Sequence, residues 1–398
     1  MIQGRAYAHR AKKVNNIVYI LIFSLTIPFL SGCAANISPE ERFSHSEEKG
    51  DGYDTYGSFD VRELEEQVEG YWKYYKENEK QKGMRIHDVD RWSSQWIEND
   101  QWTREGEYIV GKNINQGLYV FRNKEDVSLN VSVDIYKENV KGERKIQTYW
   151  TKPMSFFYLE DGDIVNINRK TEIAPVPIKN YPKMKGNKIY YEGSYIVGKE
   201  IPKGEYFVLS MEISVGTALV TDQKDKTLAL ISRFGYADIE DELAVNLQNC
   251  ILIPMGQKPT VRPIKYQNPE AAYGETVFAE GMYKVGKDLA VGTYRIKNEV
   301  YNNLSDLTYK GYHGNESYYP GYYNWCGLTA ENKTQANQFG WSEIQLDSYQ
   351  ESKIRYLKIT DSKGEINYKQ FEGLPTFTFT EKDIGNNVGL MRCVLIPE

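Results

Sequence analysis

The sequence predicts a mainly β protein: three tandem modules of the β-sandwich or jelly-roll kind, placed after a short helical segment and a flexible tether. Three observations carry this. Residues 106–119 read GEYIVGKNINQGLY, 193–206 read GSYIVGKEIPKGEY and 281–294 read GMYKVGKDLAVGTY. All obey G-x-Y-x-V-G-K-x-[IL]-x-x-G-x-Y and start 87 and then 88 residues apart, which marks a structural repeat. The module ends also match, since VNLQNCILIP at 245–254 mirrors VGLMRCVLIP at 388–397. Finally, 32 tyrosines and an aromatic content of 13% suit strands better than helical bundles.

In chain order, the first 32 residues read as an export leader. Arg5, Arg10, Lys12 and Lys13 precede an apolar run from Ile17 to Leu30, whose 14 residues fall short of the roughly 20 needed to span a bilayer. The run ends in Leu30-Ser31-Gly32-Cys33. This resembles the lipobox of bacterial lipoproteins, and the resemblance implies cleavage before Cys33 and acylation of its thiol. Cys33 is therefore the expected lipid attachment site, and the expected location is the exported face of a cell membrane. Two or three acyl chains hold a membrane firmly where one is marginal. Removing residues 1–32 takes away four positive charges and moves the formal charge from −6 to −10. So acidic a chain is no partner for nucleic acid or anionic lipid.

Residues 33–59 are rich in Ser, Glu, Gly and Asp with few aliphatics, and read as a tether. A helical lead-in is expected over 60–100. Asp60 and Glu63 form a capping-box pattern, and Val61, Leu64, Val68, Tyr71 and Tyr75 share a face that should pack rather than bind. The helix should stop by Gly83, and Trp92, Trp96 and Trp102 should dock this segment on the first repeat.

The modules are expected at 101–178, 188–264 and 275–398. Within each, Tyr and Val alternate on one face of an opening strand, a Gly turns the chain, and a second Gly relaunches it. Each repeat is long enough for a small core of its own, which favours separate modules over a solenoid. The repeated pattern resembles the G-x-Y-x-V-G-x-D-I-P-x-G-x-Y repeats of uncharacterised surface proteins and lipoproteins of Gram-positive bacteria, which implies small β-domains and brings no catalytic residues.

Chemistry is sparse. His45, His87 and His313 have no evident cysteine or serine partner. Neither a cofactor nor a metal is expected. The acidic steps Glu160-Asp161-Gly162-Asp163, Glu240-Asp241-Glu242 and Glu381-Lys382-Asp383 recur just before the closing strand, where a turn explains them better than a metal. After lipidation of Cys33, three cysteines remain (Cys250, Cys326 and Cys393), and a Cys326–Cys393 disulfide is left open.

One segment stands apart. Tyr206 lies 15 residues before a Thr-Asp step at Thr221-Asp222, and Tyr294 lies 66 before Thr360-Asp361, so the third module carries 51 extra residues, near 298–350. They include Tyr309, Tyr312, Tyr318, Tyr319, Tyr322, Tyr323 and Trp325. Rings on a loop are what sugars or extended peptides stack on, so these are the candidate ligand contacts; a hydrophobic flap is the competing reading. The expected function is a membrane-anchored, non-catalytic surface protein that binds a glycan or an envelope or extracellular protein. A carboxylate-based hydrolase of cell-wall polymer and a structural spacer are the alternatives.

Overall fold

The structure is a computed structural model that describes residues 61–81, 101–123, 131–138, 144–151, 154–179, 181, 188–211, 218–231, 233–265, 276–298, 325–330, 333–348, 355–371, 375–391 and 393–398. It is mainly β, and each repeat contributes two antiparallel sheets. In the first repeat the strands are β1 (Gly106–Ile109), β2 (Gly117–Asn123), β3 (Val131–Glu138), β4 (Arg144–Thr151), β5 (Met154–Leu159), β6 (Ile164–Ile167) and β7 (Thr171–Pro175). One sheet runs β1-β6-β3-β4 and the other β5-β2-β7. Tyr119, Phe121, Phe157 and Ile173 from the second sheet meet Val110, Val133, Ile135, Val165 and Ile167 from the other side in one buried cluster, the inside of a sandwich.

The second repeat uses the same plan. Its strands are β8 (Gly193–Ile196), β9 (Gly204–Ser210), β10 (Ala218–Asp222), β11 (Thr227–Ile231), β12 (Phe234–Ile239), β13 (Ala244–Gln248) and β14 (Cys250–Pro254). The sheets run β11-β10-β13-β8 and β12-β9-β14. A short hairpin follows, β15 (Ile264–Lys265) with β16 (Thr276–Val277).

The third repeat comprises β17 (Gly281–Lys284), β18 (Gly292–Asn298), β19 (Trp325–Ala330), β20 (Glu343–Ser348), β21 (Arg355–Thr360), β22 (Ile366–Phe371), β23 (Thr376–Phe379), β24 (Asn387–Met391) and β25 (Cys393–Pro397). Its small sheet, β23-β18-β25, matches the others, whereas its large sheet has grown to six strands, β17-β24-β19-β20-β21-β22.

That growth corrects the reading of 298–350 as a loop. Thr221-Asp222 and Thr360-Asp361 build the same turn. Asp222 Oδ1 accepts the Lys224 and Lys226 N–H groups at 2.7 and 2.8 Å, and Asp361 Oδ1 accepts those of Lys363 and Glu365 at 2.9 and 2.8 Å. The turns join β10 to β11 and β21 to β22. Yet β10 lies beside β13, whereas β21 does not reach its counterpart β24, because β19 and β20 lie between them. By position in the sheet β19 and β20 take the places of β10 and β11, so the strands without a counterpart are β21 and β22 at the edge. The third repeat also adds a helix over Lys333–Phe339, while 299–324 lies outside the described residues.

The repeats abut. Strand β5 packs on β8 and β13, and β12 packs on β17. A second buried cluster joins Leu118, Val120, Phe156 and Ala174 of the first repeat to Ile196 and Ala244 of the second. Trp102 lies in that cluster with the Arg122 guanidinium 3.8 Å over its ring, so the first repeat does receive this tryptophan. Trp92 and Trp96 lie outside the described residues. At the next joint, Phe234 meets Tyr283 edge to face at 5.1 Å. A Cβ at Gly281 would come within 2.5 Å of the Phe234 ring, so only glycine lets these strands approach.

The outer surface of the last small sheet is part polar and part covered, since Val394 and Ile396, the partners of Lys297 and Arg295, are buried with Ile264 and Val277 of the β15–β16 hairpin. By strand register, Arg295 takes the place of Val120 and Phe207, and Thr376 that of Phe156 and Tyr236.

The helical lead-in is α1 (Val61–Gln67) followed by helical residues 71–81, with a break at Gly70. Leu64, Val68 and Tyr71 are fully buried, as their spacing predicts. They dock at the joint of the second and third repeats, where Val68 bridges Val261. Gln67 is the fastener: its Nε2 donates to Tyr283 Oη at 2.9 Å and to the Glu280 carbonyl at 3.2 Å, while its Oε1 accepts from Arg233 at 2.9 Å.

Candidate functional site

The residues common to the three repeats form one turn. Gly111, Gly198 and Gly286 have φ of +85°, +75° and +80°, a left-handed conformation that strains any other residue. Their N–H groups donate to the carbonyls of Ile114, Ile201 and Leu289, each at 2.7 Å. The second motif tyrosine then locks the turn. Tyr119, Tyr206 and Tyr294 each donate from the hydroxyl to the carbonyl four residues earlier, at 2.7 Å, whether that residue is Asn115, Pro202 or Ala290. Proline at 202 is thus not required for the geometry.

A third position does the same work and was missed by sequence reasoning. Asn113, Glu200 and Asp288 accept the N–H of Ile109, Ile196 and Lys284 at 2.9, 2.8 and 2.9 Å. The residue changes while a side-chain oxygen stays, and that oxygen was the available signal. At Asp288 the role widens. Its carboxylate also takes Lys258 Nζ at 2.7 Å and the Tyr236 hydroxyl, with Lys258 and Asp288 side chains only 6% and 2% exposed. Lys284 pairs with Glu205 alongside, so ion pairs span the second joint.

The acidic steps are turns. Asp163 Oδ2 accepts the Glu160 N–H at 2.8 Å, and Asp383 Oδ2 accepts the Thr380 N–H at 2.6 Å. Glu242 holds the Glu240 N–H in the same way, at 2.7 Å. Burial pushes the Asp163 carboxyl above its ordinary range, against the Glu160 amide and the Lys137 charge. Hydrogen bonds from Lys224 and Lys137 hold Glu160 below the ordinary carboxylate range. Since Lys224 belongs to the second repeat, this ion pair also spans a joint. Among the described residues no group of three or more His, Cys, Asp or Glu could hold a metal ion.

Of the aromatic candidates, Trp325 opens β19, opposite Asp347. Tyr309, Tyr312, Tyr318, Tyr319, Tyr322 and Tyr323 lie outside the described residues, as do His45, His87, His313 and Cys33. Cys393 is disulfide-bonded, and Cys250 is a free thiol whose complete burial raises its pKa. The strand carrying Cys326 runs beside β24, with Gly327 opposite Met391. No helix among the described residues is long and apolar enough to cross a membrane. No protein-family model matches the chain, and no curated protein or solved structure matches it.

Proposed function

We propose that this chain is a lipid-anchored surface protein whose repeats form a β scaffold and whose ligand contact lies in the segment peculiar to the third repeat. The supporting observation is where the shared residues spend their polar groups. The second motif tyrosines and the side-chain oxygens are consumed by the turn itself, and Asp288 also by a joint. The shared Lys112 and Lys287 are exposed at the turn, and Lys199 donates to the Tyr181 carbonyl. What the copies share is therefore architecture, and recognition falls to what they do not share. That segment carries a dense set of tyrosines between 309 and 323. Tyrosine adds contact area at small entropic cost, which suits a glycan or an envelope or extracellular protein as ligand.

The anchor is Cys33, in the context Leu30-Ser31-Gly32-Cys33. Growth with a fatty-acid analogue should label the wild-type chain in the membrane fraction. Cys33→Ala should lose the label and either enter the medium or persist as an unprocessed precursor. Equal labelling of both would refute the anchor.

A further inference from the structure

Strand β22 is the outer edge of the six-stranded sheet and, among the described residues, pairs only with β21. Residues 363–369 are all exposed, so nothing among the described residues covers either face of the strand from Ile366 to Lys369, and Ile366 and Tyr368 are 52% and 68% exposed. Such an edge is a template for another strand unless it is short, bulged or blocked.

The backbone shows which groups are on offer. The Asp361 N–H donates to the Glu365 carbonyl, so that pair is hydrogen-bonded within the hairpin. Bonded pairs alternate in an antiparallel ladder, so Ile359 and Asn367 are bonded and Thr360 and Ile366 are not. In keeping with this, the Thr360 carbonyl turns to the other side and accepts the Ser342 N–H. Ile366 and Tyr368 therefore direct their N–H and C=O groups outward.

We infer that β22 pairs antiparallel with β22 of a second copy, about a two-fold axis at Asn367. Only registers that oppose outward-facing residues can form the ladder. Centred at Asn367, Ile366 faces Tyr368 of the other copy and exchanges both backbone bonds, and the symmetry repeats this. Glu365 then faces Lys369 on the opposite surface of the sheet, again twice. Apolar–aromatic and opposite-charge cross-strand pairs both stabilise. A centre at Ile366 would oppose Lys363 with Lys369, and a centre at Tyr368 would leave Glu365 without a cationic partner. The sequence of this strand is self-complementary in one register, as an isologous interface requires.

The register gives the test. Residues on the axis form a pair without mutual hydrogen bonds, with Cα atoms about 4.5 Å apart, within disulfide range. The full chain carrying Asn367→Cys, on a Cys33→Ser background, should form a covalent dimer under mild oxidation. Lys369→Cys should not, because it faces Glu365. By sedimentation velocity, Lys369→Glu should weaken self-association by about tenfold, and adding Glu365→Lys should restore it. A monomeric wild type at every concentration, equal cross-linking at both cysteines, or a charge swap without rescue would each overturn the assignment. These sites are exposed, and unchanged circular dichroism confirms that the variants fold.

Discussion

The side chain of Asn246 in the second repeat holds the backbone of Phe156 in the first at both of its polar groups. Asn246 Oδ1 accepts the Phe156 N–H at 3.1 Å, and Nδ2 donates to the Phe156 carbonyl at 3.2 Å. Strand β5 is an edge strand, so an amide side chain here replaces the neighbour strand that a sheet would otherwise supply. Ser194 steadies the arrangement by donating to the same oxygen at 2.6 Å, and the Tyr158 N–H finds the Gln223 carbonyl at 2.7 Å.

Asn246→Ala should therefore strand both groups of a fully buried residue, at a cost of about 1–3 kcal/mol. Hydrogen exchange at the Phe156 amide and urea denaturation check it. An amide that stays as protected as in wild type, with no loss of stability, would show that the contact does not hold the joint.

The shared acceptor position should differ in importance from repeat to repeat. Asn113→Ala removes one exposed turn bond and should cost about 0.5–1.5 kcal/mol. Asp288→Ala also leaves Lys258 buried without its partner, and breaking such a pair costs about 3–5 kcal/mol. Denaturation of the two variants side by side decides. Equal effects would mean that Asp288 serves only its turn.

The first joint should weaken in acid. Glu160 is held below the ordinary carboxylate range by Lys224 and Lys137, so it favours the folded state while ionised. That contribution is present above the unfolded carboxylate pKa and is lost as pH falls through the depressed folded value. The group is well exposed, so Glu160→Gln should cost no more than about 1 kcal/mol at pH 7. The difference from wild type should shrink and then vanish as pH falls below the ordinary carboxylate range and through the depressed folded value. A difference that persists there would assign the effect to packing rather than charge.

How much could be read from the sequence follows from how local each interaction is. The opening strand and its turn were legible because Tyr108, Val110, Gly111 and Tyr119 fall within a dozen residues and obey fixed backbone rules. The acidic steps were legible as turns for the same reason. The acceptor role of Asn113, Glu200 and Asp288 was hidden because only an oxygen is common to them. The Thr-Asp match reported the turn chemistry of Asp222 and Asp361 correctly, but it did not report which strand lies beside β24. The joints were out of reach, since Asn246 and Phe156, or Gln67 and Tyr283, are distant in sequence and meet only because whole modules stack.

The central claim is that the repeats are scaffold and that the ligand contact belongs to the third repeat alone. Replacing Tyr318, Tyr319, Tyr322 and Tyr323 with Ser in the full chain tests it most directly, with pull-down on cell-wall fragments and melting temperature measured together. Stacking on an aromatic ring contributes about 0.5–1.5 kcal/mol beyond area, so the loss of four should abolish capture. The account predicts that capture disappears while the melting temperature stays within a few degrees of wild type. Undiminished capture by a stable variant, or a collapse of the melting temperature showing that the rings are core, would contradict it.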